Sequence, residues 1–340
     1  MTALITGIGY IGAALAAALL ADGERVVGLE NGFSTLAPAV NRLARHPRFR
    51  LVRGSINSAR SIKRAVEAAG SGSRSDGGAD DDEGAGIDVV YHLAAQASAH
   101  PQAAPPSYTE QTNLVAPRLV YEAAVQHGAR ALVYGSSFRV YGDDLSGIVA
   151  EDMPYGRFSD LSHLSKVYAE KLLEMLAGQH AVPVASVRLG VVYGLGPVMK
   201  RDPRFLTVPN LFCLRTVAGQ PLTVHAGANR PIGFLHLDDA VQALRLSAEI
   251  ARSRKHGAWP INAVSEVLGV GEVAAIVERE AKARGLPPKI EGAGPLTGPR
   301  WSVASSLDAA GFRPTRSMQA SLGEVLDYYA SGQSAVGSRQ

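Results

Sequence analysis

The chain has 340 residues, 46% apolar and 19% charged, the balance of an ordinary folded protein of one large or two smaller domains. Thirty-four basic and 31 acidic residues leave a net charge of +3, spread without a Lys/Arg block or interleaved aromatics, so no nucleic-acid partner is expected. A single cysteine, Cys213, excludes an internal disulfide framework; no apolar run nears the ~20 residues of a membrane helix, and Met1 to Gly7 lacks a charged leader region, so a cytoplasmic protein is expected.

In chain order, Thr2 to Thr6 reads as a strand and Tyr10 to Ala21 as an Ala-rich helix. Arg25 to Leu29 and Phe49 to Arg53 read as strands, and Ser58 to Ala69 as a helix. Asp88 to His92, Tyr108 to His127 and Ala131 to Tyr134 then read strand, helix, strand. This alternation predicts an α/β fold with a parallel sheet covered on both faces. Residues 70–86 (GSGSRSDGGADDDEGAG) carry almost nothing apolar and are predicted to form a flexible surface insertion. The acidic run Asp80 to Glu83 lacks calcium-loop spacing, and no metal site is expected. Beyond Val187 the alternation loosens and prolines enter, as in a smaller cap. The expected division is a dinucleotide-binding domain over 1–190, to which 233–264 returns, a substrate cap over 191–232 and 265–330, and a frayed tail over 331–340.

The first strand runs into Gly7-Ile8-Gly9-Tyr10-Ile11-Gly12, a GxGxxG opening a helix. The first glycine allows a tight turn, the second lets backbone approach a pyrophosphate, and the third lets helix pack on strand. The helix N-terminus adds free N–H groups for phosphate. Glu30 stands 18 residues past Gly12, where a carboxylate accepts bonds from a ribose and repels a 2′-phosphate. The pattern predicts a Rossmann-type doubly wound sheet with a C-terminal substrate-binding cap, and NAD as cofactor.

Further motifs carry a family resemblance. Leu29-Glu30-Asn31 resembles an LDN strand end, and Asp88 to Gln96 (DVVYHLAAQ) resembles DVVFHLAAQ. Asn113 matches the Asn of a TN element, and Val133 to Gly142 (VYGSSFRVYG) resembles VYxSSxxVYG. Arg188 to Gly194 resembles RxxNVYG, Phe234 to Asp239 resembles FxHVDD, and Gly311 to Pro314 resembles LGWxP. With Thr6 to Gly12, these resemble the extended short-chain dehydrogenase/reductases, specifically the NAD-dependent epimerase/dehydratase family of the UDP-glucose 4-epimerase type. The resemblance implies cofactor contacts from Gly7, Gly9, Tyr10, Ile11, Gly12, Glu30, Asn31, Ser55, Ile56, Leu93, Ala94, Ala95, Gln96, Asn113 and Lys166. It implies substrate contacts near Ser137, Val191, Arg230 and Arg300, and a homodimer built on helices.

The family's chemistry is carried by a Ser/Thr after strand five and a YxxxK pair. Ser137 stands at the first position and Lys166 at the lysine, within Ser165 to Glu170 (SKVYAE), which resembles SKxxAE. Four residues before Lys166 stands Ser162, not tyrosine. A phenol of pKa ~10 lies within reach of a nearby ammonium, whereas a serine hydroxyl is a far weaker acid and relays a proton only with a partner. His163 lies three residues before Lys166 and can share its helix face, and an imidazole suits general acid/base work. The candidate catalytic set is Ser137, Ser162, Lys166 and His163. Three other positions depart from the family: Ser55 replaces an adenine-side acid, Val191 the Asn of RxxN, and Ile232 an Arg, with Arg230 two positions away.

The expected function is an NAD-dependent epimerase or dehydratase acting on a sugar or nucleotide sugar by transient oxidation. Two alternatives stand beside it: a degenerate cofactor-binding sensor or partner protein, and an NAD(P)-dependent carbonyl reductase.

Overall fold

The computed structural model describes residues 1–35, 37–71, 86–98, 100, 102–225, 227, 229–292 and 294–337. The segment expected as a flexible insertion therefore lies, from 72 to 85, outside the described residues. The first half runs β1 (Thr2–Thr6), α1 (Tyr10–Ala21), β2 (Arg25–Glu30), α2 (Ala37–Leu43), β3 (Phe49–Arg53), α3 (Ala59–Gly70), β4 (Val89–His92), α4 (Pro106–Glu110), α5 (Ala116–Gln126) and β5 (Leu132–Ser137). The second half adds β6 (Gly147–Val149), α6 (Leu161–Gln179), β7 (Val184–Leu189), β8 (Val191–Tyr193), α7 (Val208–Val217), β9 (Leu222–Thr223), β10 (Pro231–His236) and α8 (Leu237–Arg252). It ends with β11 (Ala258–Ala263), β12 (Glu266–Gly269), α9 (Val270–Lys282), β13 (Ile290–Glu291), β14 (Trp301–Val303) and α10 (Met318–Gly337).

Seven parallel strands form the central sheet in the order β11-β7-β5-β4-β1-β2-β3. Its inner strands are buried along their length, as a sheet covered on both faces requires. Successive side chains serve opposite layers: Ala3 and Ile5 join the core under α1 and α8, while Leu4 joins the core under α3, α5 and α6. The strand order reverses between β1 and β4, which opens a crevice at their C-terminal ends. The smaller sheet β12-β10-β8 lies beyond it, and α7, α9 and α10 close a separate core around Phe212, Val273 and Leu322.

Tyr108 to His127 is not one helix. A π-helical turn, Gln111–Val115, separates α4 from α5. Pro117 has no N–H to donate back to the carbonyl of Asn113, so the regular ladder cannot continue there. The widened turn buries Asn113. At the C-terminus, α10 continues through Gly337, where the composition predicts a frayed tail from Ser331.

Candidate functional site

A cavity of about 970 Å³ follows the crevice from the glycine loop to β10 and Trp301. The glycines at its floor have different reasons for being glycine. Gly7 has φ +85°, and a Cβ there would lie 2.7 Å from the Ala94 backbone. A Cβ on Gly12 would lie 1.9 Å from the Gly7 carbonyl oxygen. A Cβ on Gly9 would meet only the Thr35 Oγ1, at 3.6 Å, so the space above it is left open by the chain itself. Gly9 is also the N-cap of α1, whose first-turn N–H groups face outward without intrahelical partners. This arrangement fits a dinucleotide pyrophosphate.

At the end of β2, Glu30 Oε1 accepts the Gly32 N–H at 2.7 Å, which fixes the carboxylate at the cavity wall. Asn31 Nδ2 donates to the Tyr108 hydroxyl at 3.1 Å. Ile56, Leu93, Ala94, Ala95 and Gln96 line the same stretch, as do Tyr10 and Ile11. Ser55 does not; its Oγ accepts the Asn57 N–H at 3.1 Å. Asn113 lies behind the wall and acts on Gln96 and on Ser165 Oγ, the latter at 3.0 Å. Contacts that sequence reading missed join distant segments of the cavity lining. Ser98 Oγ donates to the Arg204 carbonyl, Arg204 Nη1 donates to the Gln102 carbonyl at 3.0 Å, and Phe205 meets Phe33 edge-on at 5.9 Å.

The N-terminal turns of α6 deliver Ser162, His163 and Lys166 to the cavity. Lys166 is buried, and its Nζ donates to the Gly135 carbonyl at 2.6 Å. Burial lowers its pKa to about 8, against the opposing charge of Glu170. His92, beside it, donates or accepts at Thr6 Oγ1 (2.7 Å), and burial together with the Lys166 charge lowers its pKa to about 3, so its ring is neutral. Ser137 Oγ accepts the Arg139 N–H at 3.2 Å, which leaves its own proton for a ligand. Ser162 Oγ is turned to the Gln96 carbonyl, 3.4 Å away.

Asp160, which the sequence reading did not single out, is the N-cap of α6. Its Oδ1 accepts the His163 N–H at 3.0 Å and its Oδ2 lies 2.6 Å from His163 Nδ1. Burial opposes ionisation of Asp160, but the His163 hydrogen bonds outweigh it and hold the carboxyl below its usual range. The spacing Asp-x-x-His at a helix start was the available signal.

A buried ion pair ties this helix to β7 of the sheet. Arg188 Nη2 lies 2.8 Å from Glu170 Oε2, Tyr155 donates to Glu170 at 3.0 Å, and Tyr141 donates to Asn262 Oδ1 at 2.8 Å. These residues of the RxxN, SKxxAE and VYG elements serve the framework.

At the far end, Val191, Ile232, Leu211 and Trp301 form an apolar wall, with the Arg230 guanidinium and the His225 ring beside it. Arg300 is not among them. It is exposed and paired with Glu272 at 2.6 Å, because Glu272 is itself anchored at the start of α9 by the Gly269 N–H (2.7 Å).

Residues 79–261, more than half of the chain, match the model of the NAD dependent epimerase/dehydratase family. The chain belongs to that family. Its cofactor is therefore NAD, and the cradle at Gly9 and Glu30 suits it. A UDP-glucose 4-epimerase from Mycolicibacterium smegmatis is 28% identical over 246 residues, 72% of each chain. UDP-glucuronate 4-epimerase 1 of Arabidopsis thaliana is 23% identical over 358 residues, covering 97% of this chain and 77% of the relative. The solved UDP-glucose 4-epimerase of Thermotoga maritima with UDP-glucose superposes with a TM-score of 0.78 at 19% identity, covering 98% of this chain and 100% of that one. The likeness in structure establishes the fold, a Rossmann-type parallel sheet with flanking helices. Among the described residues, no helix is long and apolar enough to cross a membrane.

Proposed function

We propose that the protein epimerises or dehydrates a sugar or nucleotide sugar by oxidising one of its carbinols transiently. The reading rests on one observation: a single cavity collects the open glycine cradle, Glu30, Ser137 and Lys166. Bound NAD supplies the hydride acceptor and, on the return, the donor. Gly9 and the α1 N-terminus hold the pyrophosphate, and Glu30 takes the adenosine ribose. Lys166 orients the nicotinamide ribose, with Gly135 fixing its ammonium. Ser137 donates its free proton to the reacting oxygen, and Ser162 or His163 moves the proton. The names of the similar proteins support a UDP-sugar, and Arg230 offers charge, and His225 a ring nitrogen, for its anionic end. In place of two polar ligands, Val191 and Ile232 give this end an apolar wall.

The test is the purified chain, assayed for retained dinucleotide and then offered UDP-hexoses and UDP-hexuronates with product analysis by NMR. The expected result is an epimer or a dehydrated sugar without net consumption of NAD. Unchanged sugars across the panel would reject this reading and favour the second, a cofactor-binding sensor or partner, for which Ser162 at the phenol position is the motivating observation.

Two features extend the proposal. Residues 1–190 with 233–264 act as the dinucleotide half and 191–232 with 265–330 as the cap, supported by β11 in the central sheet and the separate core of α7, α9 and α10. The assembly is a cytoplasmic homodimer through α5 and α6. Leu164, Tyr168 and Met175 are about half exposed along one face of α6, and Val115 is similarly exposed before α5. The lone buried thiol suits a reducing compartment.

A further inference from the structure

We propose that Asp160 is a positioning residue that sets His163 as the proton acceptor and donor of this site, in the part the family gives to a phenol at position 162. The inference rests on the function proposed above. With Ser137 assigned as the donor to the reacting oxygen, three members of the candidate catalytic set are left to carry the proton. Ser162 Oγ is directed to the Gln96 carbonyl, is several ångströms shorter than a phenol, and is too weak an acid to rest as a base. Lys166 is buried with its ammonium on the Gly135 carbonyl. His163 remains.

The geometry gives the ring one assignment. Asp160 Oδ2 takes Nδ1 at 2.6 Å, so Nδ1 carries a proton, and in the neutral ring Nε2 is the nitrogen that keeps its lone pair. Nε2 has no partner among the described residues. The same carboxylate caps the helix through the His163 N–H at 3.0 Å, so ring and helix start are held by one group. Side-chain exposures of 17% for His163 and 27% for Asp160 leave the pair in contact with the cavity that both line. In the transfer, the substrate O–H bond breaks, an Nε2–H bond forms, and the electron pair stays on the substrate oxygen. The imidazolium so formed faces the Asp160 carboxylate, and the proton returns by the same path.

Other charges act on the pair. Arg139, in the turn after β5, favours the ionised Asp160 and is itself paired with Asp143 at 2.8 Å. On α6 the buried Lys166 stands one turn on and Glu170 a further turn away, and His92 of β4 is neutral beside Lys166.

Asp160→Asn is the separating variant, because asparagine caps helices as well as aspartate but cannot accept the Nδ1 proton as a carboxylate does. Two readouts are taken on the full chain: ring-nitrogen NMR of His163, and the pH profile of hydride transfer from a UDP-hexose to bound NAD, followed by the fluorescence of the reduced dinucleotide. The expected result in Asp160→Asn is loss of the Nδ1–H tautomer, a rate lower by roughly 10²–10⁴-fold, and an acid limb moved to lower pH. His163→Gln should abolish that limb, with unfolding midpoints recorded for both variants. An unaltered tautomer, or a pH profile unchanged in both variants, overturns the inference and leaves the proposed function standing. A wild-type chain that transfers no hydride from any UDP-sugar while the tautomer is as described overturns the proposed function, and the catalytic role of His163 with it.

Discussion

Asn113 and Gln96 hold each other by a reciprocal pair of hydrogen bonds, Gln96 N–H to Asn113 Oδ1 at 2.9 Å and Asn113 Nδ2 to the Gln96 carbonyl at 2.8 Å. The pair ties the loop after β4 to the π-helical turn, and Asn113 reaches on to Ser165 of α6. Three elements of the cavity wall thus meet on one buried amide.

Asn113→Ala should therefore lower stability by about 1–3 kcal/mol, since it strands the Gln96 backbone groups in a buried place. NAD affinity should fall with it, because the loop loses its anchor. Urea unfolding and cofactor titration check both. A variant as stable as the parent would mean that the loop is held by something else.

Glu30 should make NAD bind at least tenfold more tightly than NADP, since a 2′-phosphate would face its carboxylate. Burial lowers the pKa of the nearby Lys200, against the opposing charge of Glu30. Glu30→Ala should narrow the gap in a pair of equilibrium titrations, and equal affinities in the parent would contradict the assignment.

Lys166 should give the cofactor-free chain an unusual alkaline profile. Its pKa of about 8 when folded lies below the ordinary 10.5 of an unfolded lysine. Between these values the unfolded chain binds more protons, so stability rises as pH climbs through the window. The cost of the buried charge, of order 3 kcal/mol, is fully present below pH 8 and relieved towards pH 10.5. Lys166→Met should flatten the slope over that range in urea unfolding, though it loses the bond to Gly135.

Ser162→Ala should slow turnover by less than about tenfold, because the hydroxyl is engaged only with the Gln96 carbonyl. A loss of 10²-fold or more would make Ser162 the relay. Ser162→Tyr is the constructive companion: a phenol introduced four residues before Lys166 should raise oxidation of a sugar carbinol, measured on the same substrate panel.

The parallel sheet was legible in the sequence because its strands are short apolar runs separated by helix-length segments, and because Gly7, Gly9 and Gly12 mark one turn. Boundaries moved where tertiary structure decided them. Pro117 breaks the helix read from Tyr108, and β5 runs on to Ser137 because β7 pairs with it residue by residue. The cavity was legible where residues follow a strand end directly, as Glu30 and Gln96 do. It was not legible where a side chain is captured locally: Ser55 by the Asn57 N–H and Arg300 by Glu272. Nor could spacing along the chain bring Arg204 to Ser98, 106 residues apart, since that contact exists only after the cap has packed on the sheet. Asp160 was passed over because a helix cap and a histidine partner look alike in sequence.

The open space above Gly9 has a practical consequence. With φ −82°, alanine fits the backbone there, and its methyl would touch nothing of the chain closer than Thr35. At Gly7 or Gly12 the same methyl would collide with the fold itself. Gly9→Ala should thus give a full-length, properly folded chain that no longer accepts the dinucleotide. Such a variant is a separation-of-function reagent: introduced in place of the parent, it keeps every surface a partner molecule would recognise and removes turnover, so whatever it still does in a cell is scaffolding rather than chemistry.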